Sequence, residues 1–476
     1  MKRVAMMIGT VVSRAGGCLP PSLHDRDAGG LLGRGCATAL AALLLAATAP
    51  LAQAEETLTL KECVTRAVAH APEMGEAQAD VELMSAKLSE AKGYRLPQVD
   101  FLGLTGPIPG ARGNQVYSQD SVDHPNHWTW YAKGDFLAVQ PIYSFGKISH
   151  AMSAATHGIE VEKSRKEQKR NEIVVKVKEY YYDVLLAREL KNLLAEVRDD
   201  LTKAKEKAKK LLDQNSSNVE EADIYKLDAF GGEVDKYLAE AEKGETLALS
   251  ALKVKVGVPR TAKLELADAR LTKVDQTIGP LDSYVARAQG VRPEFRQVKE
   301  GLKAREELVA AAKAARYPDI FVGAILSSAW SPGRDRVNNP WVPDDYNHFW
   351  AGAALGMKWK FDFGITSAKI SQEQAQYDRL VSTKQFADEN IPLEITKFYD
   401  EGMEASKGIE ATRTGYESSK KWAVTALANF DFGIGPAKEI FDSLQQYAKM
   451  RAAYFQAVFN YNMAVANLTY ATGDWE

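Results

Sequence analysis

Between Lys147 and about Asp213 apolar residues such as Ile173, Val177, Tyr180 and Val184 recur at three- and four-residue steps, charge is dense and proline is absent. That pattern predicts one unbroken helix over 147–213. A second stretch, 365–430, repeats it with Ile395, Phe398 and Tyr399, interrupted only by Pro392, which must either kink the helix or be absorbed by it. At ~1.5 Å per residue each would reach about 100 Å, beyond ordinary globular helices and suited to coiled-coil packing. Each long helix ends in a run of turn formers, Asp213 to Asn218 and Asp431 to Pro436. Shorter helices follow over 219–256 and 437–472, closed by Gly257 and Gly473. Single helices over about 59–92 and 281–315 precede Pro97 and Pro318, and residues 258–280 form a connector of mixed character.

Two segments change period. Over 98–142 and 319–361 alternation replaces the helical repeat, as in "IFVGAILSSAW" and "FWAGAALGMKWKF", which predicts two β-hairpins. Six of the eight tryptophans lie there: Trp128, Trp130, Trp330, Trp341, Trp350 and Trp359. Trp128, Trp130, Trp330, Trp350 and Trp359 suit an aromatic girdle at a membrane interface. A small soluble sheet with an aromatic core is the alternative.

The halves of the chain are alike. Residues 63–100 lie on residues 284–321 without a gap, matching Arg66 to Arg287, Pro72-Glu73 to Pro293-Glu294, Arg95 to Arg316 and Pro97 to Pro318. Phe145-Gly146 returns as Phe363-Gly364. Units this long indicate a duplicated domain, with a first repeat over 55–257 and a second over 281–476.

The start of the chain stands apart. A basic stretch ending in Arg34, an apolar run and Ala52-Gln53-Ala54 have the form of an export signal over 1–54. Beyond it Cys63 is the only cysteine, so no disulfide within the chain is expected. The full chain carries 60 Lys and Arg against 63 Asp and Glu, a balance that gives no reason to expect nucleic-acid binding. No apolar run after the signal approaches the ~20 residues of a spanning helix. An exported chain of this kind is either soluble or crosses the outer membrane as a β-barrel. Two hairpins supply four strands and the smallest membrane barrels have about eight, so several chains must share one barrel. The rival architecture is a soluble periplasmic coiled-coil scaffold.

Taken together, "LTLKECVTRAVAHAPE", "YRLPQVDF", "QPIYSFGK", "VKVKEYYYDVLLA", "FDFG" and "ANLTYATG", in their order and duplication, resemble the TolC-like outer-membrane factors of tripartite efflux and type I secretion systems. The resemblance implies a mixed α/β membrane protein. Its fold would be a homotrimer with a twelve-stranded outer-membrane β-barrel, four strands per chain, continuous with a periplasmic helical coiled-coil barrel. It also implies outer-membrane lipid, a periplasmic adaptor and an inner-membrane pump of RND, ABC or MFS type as partners. By resemblance Glu439 and Asp442, six and nine positions after Gly433, line the periplasmic entrance, with Asp223 their counterpart in the first half. As plain sequence they are also what a solvated helix face carries. The turns Ser217-Asn218-Val219 and Phe432-Gly433-Ile434-Gly435 are where an adaptor would dock. This chain has Phe430 and Gly435 where the family holds its entrance shut with a tyrosine and an arginine, so closure would fall to other contacts, with Lys438 a candidate.

No nucleophile elbow, phosphate loop or zinc-protease pattern appears, so no enzymatic activity and no cofactor are expected. His127 and His348, at equivalent strand entries, are the one weak metal candidate.

Overall fold

The computed structural model describes residues 56–111, 127–214 and 219–473. The proposed signal, the middle of the first hairpin loop, Ser217 and Asn218 lie outside the described residues. The elements are β1 (Glu56–Leu58), α1 (Leu60–His70), α2 (Pro72–Gly93), β2 (Gln98–Pro109), β3 (Trp128–Tyr143), α3 (Lys147–Asp213) and α4 (Glu221–Val256). There follow β4 (Leu264–Leu266), α5 (Leu281–Val291), α6 (Pro293–Ala314), β5 (Asp319–Trp330), β6 (His348–Lys358), α7 (Ile365–Asp431) and α8 (Ala437–Thr472). The second set matches the first in helix length: 11, 22, 67 and 36 residues in each half.

One expectation needs correction. The helices expected over 59–92 and 281–315 are each broken in two, because Pro72 and Pro293 open α2 and α6 and force the preceding Ala71 and Arg292 into extended backbone. The connector of mixed character holds one short strand. Its β4 pairs in parallel with β1, joining the first described residues to the middle of the chain. Pro392 is absorbed: α7 runs through it, and Thr396 Oγ1 donates to its carbonyl at 2.9 Å.

The largest core gathers where β1, β4 and α1 meet the middle of α3. Leu58, Cys63, Ala67, Val177, Tyr181, Val184, Leu252 and Leu264 are buried together there. Tyr181 Oη reaches Asp268 Oδ2 at 2.7 Å, and buried Asn462 on α8 clamps the connector by accepting from Val274 N and donating to Thr272 O. Glu245 bridges Arg188 and Lys191 at 2.9 and 2.7 Å. A second core fills the far end of the helices.

The hairpins form one antiparallel sheet in the order β2-β3-β5-β6, which leaves β2 and β6 as its edges. At the strand-to-helix junctions Phe145 and Phe363 both adopt positive φ, 50° and 46°, each followed by a positive-φ glycine. A bulky residue pays for that backbone. Phe145 is held by stacking on Tyr317 at 5.2 Å and by edge contact with Tyr143 at 4.7 Å. Phe363 is fully exposed in the single chain.

Candidate functional site: a one-sided sheet and a helical tip

Residues directly opposite in neighbouring strands share a face, so the register sorts every side chain of the sheet. One face carries Val99, Phe101, Phe136, Val322, Leu326, Leu355 and Met357, linked by pairs such as Phe101↔Phe136, Phe136↔Leu326 and Val322↔Leu355. No Asp, Glu, Lys, Arg or His lies on this face in the four strands. Asp100, Lys133, Asp135, Asp319, His348 and Lys358 all lie on the other. The large apolar residues of the first face are solvent-exposed in the single chain. A soluble sheet would show the reverse, with its apolar side covered.

From Ile320 to Trp330 the apolar face runs about 33 Å along β5 at ~3.3 Å per residue; tilted by ~40° it stands about 25 Å tall, the height of the apolar band in outer-membrane barrels. Aromatic side chains mark both ends. Trp128, Trp130 and Trp330 stand at one end on the apolar face, together with Phe349. Tyr143, Phe145, Tyr317, Trp359 and Phe361 cluster at the other, where Trp359 Nε1 donates to Arg316 O at 3.0 Å. Trp350 departs from the expected girdle: opposite Ser327, it belongs to the charge-bearing face, and Phe349 takes the apolar one.

On the charged face Asp135 accepts from Ser327 Oγ at 2.5 Å and pairs with Lys133 at 3.0 Å. Ser327 Oγ also meets His348 Nε2 at 2.8 Å, and His348 Nδ1 lies 2.7 Å from Asp344 O. Both ring nitrogens of His348 are thus engaged. His127 lies at the entry of β3, with β5 between that strand and β6. Among the described residues no group of three metal-ligating side chains occurs. Asp344 orders the loop beyond β5. Partial burial would raise its carboxyl, but the N–H groups of Val337, Tyr346 and Asn347, at 2.9 to 3.0 Å, hold it below the usual range. This network was not anticipated, because alternation shows two faces in each strand but not which faces join.

At the opposite end of the molecule α3 and α7 turn into α4 and α8. Val219 and Phe430 are buried in the tip core, and Phe230 and Phe441 meet edge to face at 5.3 Å. Gly433, at φ 73°, donates to Phe430 O at 3.0 Å, and Ile434 and Gly435 both donate to Asn429 O. The turn is therefore tight, and it pushes Phe432 and Ile434 outward, 80% and 76% exposed. A Cβ on Gly435 would meet that of Asn429 at 3.2 Å, which leaves little room for a larger residue. Glu439 and Asp442 are half-buried, one turn apart on α8, and so project to the same side. Asp223 is placed differently: Oδ2 accepts from Glu220 N at 3.2 Å, capping α4, and Oδ1 pairs with Lys226 at 3.1 Å. Lys438 is exposed. No helix among the described residues is long and apolar enough to cross a membrane.

No family model and no curated protein matches the chain by sequence. Solved structures do match. The outer-membrane channel OprN superposes with a TM-score of 0.72 at 15% identity, over 87% of this chain and 90% of that one. The CmeC outer-membrane channel of Campylobacter jejuni gives 0.72 at 16% identity, over 87% and 85%. The MtrE outer-membrane channel of Neisseria gonorrhoeae, in an open state, gives 0.70 at 14% identity, over 87% and 88%. The fold of this chain is that of these outer-membrane channels.

Proposed function

We propose that the protein is the outer-membrane channel of a tripartite export system, a passive homotrimeric duct from periplasm to cell exterior. The observation that carries this reading is the sheet: an exposed face without Asp, Glu, Lys, Arg or His, about 25 Å tall by the strand geometry above, beside a charged face, with two unpaired edges. Lipid accepts the first face and water the second. Three copies of a four-stranded sheet close a twelve-stranded barrel and leave no edge. The long helices then continue the wall into the periplasm.

Within this duct Glu439 and Asp442 ring the periplasmic entrance and favour cations, while Asp223 stands at the foot of α4 with its charge tied to Lys226. The exposed Phe432 and Ile434, with Gly433 and Gly435 shaping their turn and Val219 anchoring the neighbouring one, offer apolar knobs to a periplasmic adaptor. An inner-membrane pump of RND, ABC or MFS type supplies the energy, and the cargo is a small toxic compound or a secreted polypeptide. The duct itself is no enzyme. A soluble scaffold would leave the ion-free face bare to water, a cost nothing among the described residues offsets. Purified protein should run as a trimer in detergent and produce discrete conductances in planar bilayers. A monomer without conductance overturns the proposal.

A further inference from the structure

The contacts that join the two halves inside one chain prescribe those that join one chain to the next, given the trimeric reading above. Inside the chain β3 pairs with β5 and α3 packs on α6. Their counterparts are the edge strands β6 and β2 and the helices α7 and α2. The steps between counterparts are fixed by observed elements. Asp319 of β5 corresponds to Gln98 of β2, both opening twelve-residue strands. Because Gln98 pairs with Val139 and Asp319 with Lys358, Val139 corresponds to Lys358. Lys147 and Ile365 open helices of equal length, as do Pro72 and Pro293.

Carrying the β3–β5 register across these steps turns Phe136↔Leu326 into Leu355 opposite Thr105 of the next copy, and Ala138↔Ala324 into Met357 opposite Gly103. Each such pair sets ion-free face against ion-free face, a condition that a one-residue slip would violate. The junctions and helices transform in the same way. Phe145 stacked on Tyr317 becomes Phe363 against Leu96, both of them exposed in the single chain. Lys147 bridged to Asp319 becomes Ile365 beside Gln98. The pairs His150–Glu307 and His157–Glu300 become Ala368 with Ala86 and Ala375 with Ala79, Arg296–Glu167 becomes Gly75 with Gln385, and Gln168–Gln297 becomes Phe386 with Glu76.

We infer that copies of this chain close the barrel with Leu355 opposite Thr105, and that below it the two histidine–carboxylate pairs within each chain are replaced between copies by Ala368 with Ala86 and Ala375 with Ala79. The wedge between copies is Phe363, whose positive-φ backbone is repaid only when the next copy covers its ring.

Cysteine scanning tests the register. Thr105→Cys is combined in turn with Ala353→Cys, Leu355→Cys and Met357→Cys in the full chain, whose own Cys63 is buried. Oxidised membranes are then read for covalent oligomers. The expected result is cross-linking at least fivefold stronger with Leu355→Cys than with either neighbour. A maximum at position 353 or 357, or no cross-link in any pair, overturns the register. Light scattering of each reduced variant separates the cases: a trimer with the wrong cross-link leaves the duct standing, whereas a monomer removes both. The helix contacts are read in the same way from Ala86→Cys combined with Ala368→Cys, expected to give covalent oligomers in oxidised membranes; no cross-link in that pair overturns them.

Discussion

At the scale of single residues, three carboxylates of the helical tip have different work to do. Asp223 spends its oxygens on Glu220 N and Lys226, so its removal costs a helix cap. Asp223→Ala should lower stability by about 1 kcal/mol, as cap losses do, and leave ion selectivity in bilayers unchanged. Glu439 and Asp442 have no hydrogen-bond duty of that kind. In the proposed trimer they would place six carboxylates at the mouth. Replacing both by Ala should move the reversal potential in a KCl gradient toward zero and weaken block by multivalent cations. An unchanged reversal potential would remove them from the entrance.

At the scale of elements, the seam between α3 and α6 carries two histidine–carboxylate contacts one heptad apart, His150–Glu307 at 2.6 Å and His157–Glu300 at 2.7 Å. The hydrogen bond from His150 holds the Glu307 carboxyl below its usual range, and Lys303, then His157, do the same for Glu300 against partial burial. A carboxylate with a depressed folded pKa adds stability above its unfolded value of about 4.3, and that stability is lost as pH falls through the lower folded value. The double variant Glu300→Gln, Glu307→Gln should therefore lose less melting temperature than the parent between pH 6 and pH 3.5 by circular dichroism. Equal losses would show that the seam does not set the acid limit. This seam also marks what a sequence can reveal. The extent of α3 and α7 was legible because a 3.6-residue period sustained over dozens of residues leaves no other solution. The breaks at Pro72 and Pro293 were not, since a proline can open a helix or be carried inside one, as Pro392 is in α7. The β1–β4 pairing was hidden because three residues per strand carry no period. Trp350 could not be assigned to a face from alternation alone, because the face depends on a register set by the partner strand.

At the scale of the whole molecule, the sheet decides whether these elements make a duct, and neighbouring residues on its two faces can be asked directly. Ala353 and Ala354 are adjacent in β6, both small, opposite Ala324 and Gly323 on β5. Only Ala353 belongs to the ion-free face, at the middle of the run from Phe349 to Met357, where lipid would be deepest. An arginine there should cost about 2–4 kcal/mol per chain, the penalty for a cation at the bilayer midplane of such barrels. In a trimer the cost is incurred three times, around a ring that must close all at once. The same change at Ala354 points into water and should be borne at a small fraction of that cost, with a shift in conductance instead. Refolding of Ala353→Arg and Ala354→Arg into vesicles, followed by denaturant titration, measures the difference. Equal destabilisation by the two would mean that the faces see the same medium, which no barrel wall allows.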